Sequence, residues 1–359
     1  MLRTVSPLPP ALILSSLLPL LLLPPLPAQE ETKPPHLWPM RVQVKQGKAR
    51  VWRQGYMDRQ GKVRIAPRFA KAKRFQGGLA RVAEKGSWGF IDRSGDYAVA
   101  PRFNWARDFR EGLAAVLVVK KEKERNLLRV GYIDPRGRLA IPARFDFHSR
   151  ADMDFAGGLA AVAREGRWGF IDREGKFVIA PAYRAAGPFR EGLAPVAVKE
   201  KWGFIDKQGA FAIAPAFARA APFQEGLAAV EKEGKWGFID RRGKEAIPCR
   251  FGFPDRGAPR VREGRIRVAV KGRWGFLDRQ GGFAVAPAYD HAGDFHEGLA
   301  LVMRKGRVGY IDEKGDLRIP LRFLSGRDFE QGLAFVMTGT DPDRYAYIDR
   351  EGEEVWSSE

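Results

Sequence analysis

A pattern of the form K-W-G-F-I-D-x-x-G recurs nine times along the chain and dominates what it can fold into. Its aromatic position is Tyr56, Phe90, Tyr132, Phe170, Phe204, Phe238, Phe276, Tyr310 and Tyr347. An Asp follows two residues later and a Gly three beyond that, as in Asp92/Gly95, Asp172/Gly175, Asp206/Gly209, Asp240/Gly243 and Asp278/Gly281. Successive Asp residues are 34, 42, 38, 34, 34, 38, 34 and 37 positions apart. The 359 residues would otherwise permit two or three ordinary domains, but a short period means one array whose units are stabilised chiefly by their neighbours.

Within a unit, apolar residues come in runs of four to six separated by Gly-containing turns, which predicts strands and not helices. The copy around Trp236 predicts a strand over 227–230, a second over 235–239 and a third over 244–247. In D-x-x-G the Asp carboxylate can accept hydrogen bonds from the amides of its own turn while Gly takes positive φ. A proline ends the third run in eight copies, as at Pro215, which suits a strand terminus because proline has no N–H to donate. The middle strand is apolar on both faces. The Trp slot, occupied by Trp88, Trp168, Trp202, Trp236 and Trp274 and by other residues elsewhere, is therefore expected in a stacking core with Phe90, Phe170, Phe204, Phe238 and Phe276, each Trp lying on the bare glycine backbone of the next unit.

The recurrent K-W-G-F-I-D-x-x-G, with I-A-P-x-F/Y and F-x-E-G-L-A-x-V, resembles the WG-repeat (KWG-type) family of bacterial β-repeat proteins from Met40 to the C-terminus. The resemblance implies an exported or surface protein that binds something, and carries over no catalytic residue. Residues 250–270 depart from the pattern, and Ala346 stands in the glycine slot of the last copy. The expected fold is all-β: nine three-stranded antiparallel units of 34–42 residues. An open superhelix is favoured over a closed propeller-like ring, because insertions of eight, four, four and three residues suit a solenoid better than a ring of equal units. The largest insertion, around residues 120–129, is expected at a hairpin tip.

Residues 1–28 read as a signal peptide, with Arg3 as their single charge, an apolar stretch over 11–23 and cleavage after Ala28. That stretch is too short for a comfortable bilayer span of about 20 residues. Residues 29–39 form a Pro-rich linker, and the repeat array fills 40–359. Export to the periplasm or beyond is the expected localisation.

Chemistry is sparse. The repeated Glu of E-G-L-A (Glu111, Glu191, Glu225, Glu297) is a poor candidate for a unique active site. Asp146, Asp152, Asp154, Asp255 and Glu263, in irregular copies, are the acids from which a glycoside-active alternative would be built. Asp290, His291, Asp294, His296 and Glu297 form the one local polar cluster with histidine, without the spacing of a known zinc site. Cys249, the single cysteine, has no nearby His to activate it. No cofactor or metal is expected.

The net charge is the remaining clue. Lys and Arg number 62 against 43 Asp and Glu, giving +19 for the chain. Such a charge on an exported protein favours an anionic envelope polymer or an acidic protein partner, and export directs it away from nucleic acid. The resulting expectation is a non-catalytic binding or scaffold protein, the alternatives being a carbohydrate-active protein and a purely structural one.

Overall fold

The computed structural model describes residues 36–47, 49–122, 125–149, 151–253, 257–340 and 343–358. These form nine small antiparallel sheets, six of four strands and three of three, each built from one contiguous repeat. The sixth is representative, with strands Arg219–Ala220, Leu227–Lys232, Lys235–Asp240 and Glu245–Phe251 in that spatial order. The two-residue first strand was not legible as a strand. It precedes an E-G turn in which Glu225 (φ 51°) and Gly226 (φ 80°) are both left-handed, the two-residue hairpin geometry that matches strand twist.

The last strand does not stop at its proline. Trp202 pairs with Phe217 and Phe204 with Ile213, so one residue on the middle strand faces three on the last, and Pro215 sits inside that bulge. A bulge tolerates a residue without an N–H as well as a strand end does. The same bulge explains the glycine of the W-G pair. A Cβ on Gly203 would lie 2.6 Å from the Ile213 carbonyl oxygen and 2.7 Å from the Pro215 nitrogen, both in its own sheet. The glycine therefore makes room for a bulge within the unit, and not for the tryptophan of a neighbouring unit. In the ninth sheet Ala346 pairs directly with Ser357 without that bulge, and alanine fits.

The expected open superhelix is overturned, because the sheets close into a ring, a nine-bladed β-propeller. Each interface between successive blades repeats the same contacts. The D-x-x-G glycine of one blade packs on the last strand of the blade before it: Gly95 on Ile65, Gly175 on Ile141, Gly209 on Ile179, Gly243 on Ile213, Gly281 on Ile247 and Gly352 on Ile319. Gly61 of the first blade likewise packs on the last strand of the ninth, against the Val355 carbonyl and the Trp356 Cβ. Tyr56, Tyr132 and Tyr310 each donate a hydrogen bond to a backbone carbonyl of the following blade, at Lys73, Met153 and Arg327, and Tyr347 of the ninth donates to Pro39 of the first at 2.8 Å. Trp38, Met40 and Met57 complete the seam with Leu333 and Tyr347. Fully burying such side chains contributes about 1.5–3 kcal/mol each, so closure is an apolar interface like the other eight.

The unequal unit lengths do not prevent closure because the extra residues avoid the interfaces. Eight extend the hairpin Ala114–Glu122/Arg125–Ile133, three lengthen Ala334–Thr340/Asp343–Ile348, and the others fall in the sequence between one sheet and the next, after Asp146 and after Phe251. Among the described residues no helix is long and apolar enough to cross a membrane. The proposed signal peptide lies outside the described residues, as does most of the Pro-rich segment; the first strand begins at Trp38.

Candidate functional site

The repeated motif residues sit in the framework. Phe90, Phe170, Phe204, Phe238 and Phe276 are buried, each within the apolar cluster between two blades. Trp168, Trp236 and Trp274 are buried and Trp88 and Trp202 half-buried, paired across strands with Tyr183, Phe251, Tyr289, Phe103 and Phe217. Arginines cover several of them: Arg81 lies 4.6 Å from the centre of Trp88, Arg219 4.9 Å from Trp236 and Arg267 4.6 Å from Trp274. In the turns, Asp206 Oδ1 accepts from the amides of Gln208 and Ala210, Asp240 from Arg242 and Lys244, and Asp278 from Gln280 and Gly282. Asp92 accepts from Ser94, Gly95 and Asp96, and Asp172 from Lys176. Gly95, Gly175, Gly209, Gly243 and Gly281 all have positive φ, which is where glycine is needed.

The recurrent Glu forms a relay from blade to blade. Glu225 accepts from the amides of Glu263 and Gly264, Glu263 from Glu297 and Gly298, and Glu297 from Gln331 and Gly332. Glu111 holds Gly157 and Gly158 likewise, and Glu191 holds Gly226. Each carboxylate thus satisfies the turn that presents the next one, a structural role shared by Glu263.

What differs between blades is the inner edge. Arg74 of the second blade pairs with Glu330 of the ninth, and Asp152 of the fourth lines one cavity with Arg262 of the seventh. Such contacts between non-adjacent blades place the segments before each E-G turn around a common axis. The residue preceding the Phe of F-x-E-G is an acid in four blades, Asp108, Asp154, Asp294 and Asp328, and each has a cationic partner across or along the edge. Arg81 pairs with Asp108 at 2.9 Å, Arg107 with Asp154 at 2.5 Å and with Asp152 at 3.0 Å, and Arg267 with Asp294 at 3.3 Å. Asp328 has His296 at 3.5 Å.

In blades five to seven that slot holds Pro188, Pro222 and Arg260. Arg190, Arg260 and Arg262 make no ion pair with any described residue, and they line a cavity of about 450 Å³ together with Ala220, Ala221, Pro222 and Pro259. Asp152 at its margin is engaged by Arg107. Gln224 Oε1 and Arg262 Nε, in its lining, are shut from solvent with no hydrogen-bond partner among the described residues. These arginines do not stand out among the basic residues of the sequence. The signal was the replacement of the slot Asp by Pro188, Pro222 and Arg260, visible only once the slots are superposed.

The repeat family described as "WG containing repeat" matches eight times, at 55–87, 88–121, 131–168, 168–202, 202–236, 236–274, 274–307 and 309–339. The chain belongs to this WG-repeat family. No curated relative matches the sequence. Among solved structures, the WG-repeat ring resembles a crystal structure of "the eukaryotic initiation factor", at 10% identity and TM-score 0.64 over 91% of this chain and 96% of that one. Weaker likenesses are apo AztD from Citrobacter koseri, 10% identical, TM-score 0.44 over 90% and 95%, and Chaetomium thermophilum Sqt1 bound to the N-terminus of ribosomal protein L10, 10% identical, TM-score 0.41 over 78% and 92%. At such identity the first shows the fold and nothing of the ligand.

The other candidate residues of the WG-repeat ring are dispersed or already engaged. Asp146 pairs with Arg129 at 2.5 Å and accepts from the Gly166 amide. Burial pushes the Asp154 carboxyl up, against the pull of Arg107. Asp255 lies outside the described residues. No group of three His, Cys, Asp or Glu able to hold a metal occurs among the described residues. Asp290 pairs with Arg273 and accepts from the Lys305 amide, while His296 pairs with Asp328. Cys249 is half-buried in the bulge of the sixth blade, where desolvation pushes its thiol up and away from reactivity.

Proposed function

We propose that this WG-repeat propeller is an exported, non-catalytic binding ring. Its inner edge across blades five to seven takes an acidic segment of a protein partner. The observation that carries this is the arc of Arg190, Arg260 and Arg262, which line one cavity and make no ion pair with a described residue, whereas Arg81, Arg107 and Arg267 on other arcs pair with acids. Guanidinium groups in a partly apolar lining suit a chain that bears carboxylates on an apolar body, held by bidentate charge-assisted hydrogen bonds. The prolines and alanines of the lining favour a peptide over an anionic envelope polymer, which the net charge alone would equally attract. The non-catalytic reading is supported by the engagement of Asp146, Asp152, Asp154 and Glu263 with arginines or turn amides.

The test is binding of Glu-rich peptides and of acidic glycans to the signal-less protein across a salt series, with a triple variant Arg190→Ala, Arg260→Ala, Arg262→Ala. Peptide binding should weaken with salt, and at least about tenfold in the triple variant. Equal binding by the triple variant, or tighter retention of glycan than of peptide, would overturn the proposal.

A further inference from the structure

The eighth and ninth blades enclose a second cavity at the inner edge, about 820 Å³ in volume, on a different arc of the ring. Its origin can be read by comparing blades. In the second blade Arg81, from the x position of L-A-x-V, stacks on Trp88, pairs with Asp108 of the next blade and donates to the Ala106 carbonyl. In the seventh, Arg267 does the same with Trp274, Asp294 and the Ala292 carbonyl. In the eighth, the corresponding residues are Leu301 and Val308, and both line the cavity.

The acceptor side of that arrangement survives. Asp328 stands where Asp108 and Asp294 stand, and Gly326 supplies the carbonyl position of Ala106 and Ala292. Gly293 gives Asp328 its room, since a Cβ there would lie 2.6 Å from Asp328 Oδ1. Among the described residues the ion-pair partner of Asp328 is His296 and no arginine. Of the charged groups lining the cavity, Glu263, Glu297, Asp328 and Glu330 outnumber Arg74 and Arg327, although the chain as a whole is strongly basic. Arg74 is committed to Glu330.

We propose that this cavity is a guanidinium-binding site, in which an arginine-type group of a ligand pairs with Asp328 in place of the guanidinium that the chain itself supplies to Asp108 and Asp294. The apolar wall of Leu301, Val308 and Phe329 receives the methylene stem, and the carboxylate and the Gly326 carbonyl receive the fork. Burial holds the Asp328 carboxyl above the usual range, opposed by His296 and reinforced by Asp294, with Arg267 and Arg74 also opposing; a bound cation would reverse the balance.

The probes are free L-arginine and the tripeptide Gly-Arg-Gly, with citrulline as the uncharged isostere, measured by calorimetry on the signal-less protein. Saturable binding of either arginine probe and none of citrulline is expected. Binding of the free amino acid assigns a small-molecule site, and of the tripeptide alone a side chain of a partner. Asp328→Asn should weaken binding about tenfold or more. Leu301→Arg, which restores the residue used at positions 81 and 267, should abolish it with the circular dichroism spectrum unchanged. No saturable binding, equal binding of citrulline, or an unaffected Asp328→Asn variant would overturn the site. The triple arginine variant of blades five to seven should bind these probes normally, which separates this result from the fate of the acidic-peptide site.

Discussion

Substituting the W-G glycine of a middle blade tests the explanation of the motif that names the family. In Gly203→Ala the new Cβ would meet the Ile213 carbonyl oxygen at 2.6 Å, the Pro215 nitrogen at 2.7 Å and the Ala214 carbonyl carbon at 2.9 Å. All three atoms are backbone, so no rotamer change relieves the overlap, and the bulge must move by several tenths of an ångström. Overpacking of this kind costs about 1–3 kcal/mol. With unfolding entropy near 2.1 cal/mol/K per residue, each kcal/mol lowers the midpoint of a ring of this size by about 1.5 °C, so a drop of about 2–5 °C is expected. The ninth blade supplies the control, since Ala346 faces Ser357 without a bulge. Ala346→Gly should cost no more than the about 0.5–1 kcal/mol of a strand glycine. Thermal melts followed by circular dichroism and tryptophan fluorescence measure both. An unchanged midpoint for Gly203→Ala, or equal losses for the two variants, would refute the idea that the glycine exists to admit the proline bulge.

Two further predictions concern closure and acid stability. Tyr347→Phe leaves the Pro39 carbonyl without its donor and should cost about 1–2 kcal/mol; hydrogen exchange should then quicken in both the first and ninth blades, whereas quickening in the ninth alone would argue for an open chain end. The Asp92 carboxyl is held below its usual range by the Ser94 hydroxyl, against the cost of burial and with the amides of Asp96, Ser94 and Gly95 adding to it. At Asp312 the amides of Asp316 and Lys314 and the Arg318 side chain outweigh burial. A carboxyl depressed in the folded state stabilises above its unfolded pKa of about 3.9 and loses that contribution as pH falls through the folded value. The melting midpoint should be flat from neutral pH to about pH 5 and fall below about pH 4, less steeply in Asp92→Asn; identical slopes would remove the turn carboxylates from the account.

The repeat, the strand content and the D-x-x-G turns were legible in the sequence because each is a local device: a short apolar run between Gly-containing turns fixes a strand, and a carboxylate three residues before a positive-φ glycine fixes a turn. Local devices say nothing about how one unit is rotated on the next. That rotation is set by Gly61 on Val355, Tyr347 on Pro39 and Trp38 against Leu333, residues some 300 positions apart. The insertions that suggested an open array lie at hairpin tips and connections, where length does not alter packing.

The candidate sites were hidden for the same reason. Arg190, Arg260 and Arg262 are ordinary basic residues until the ring brings them to one arc, and Asp328 is an ordinary acid until Leu301 is seen where other blades place arginine. The sequence by itself determined the unit: strands, D-x-x-G turn and apolar middle, each settled within about 34 residues, whereas the bulge that the W-G glycine admits came from the pairing of strands. Tertiary structure alone decided closure into a ring and the gathering of Arg190, Arg260 and Arg262 on one arc of its inner edge and of Asp328 opposite Leu301 on another, because pairing across blades depends on distances that only the closed geometry fixes.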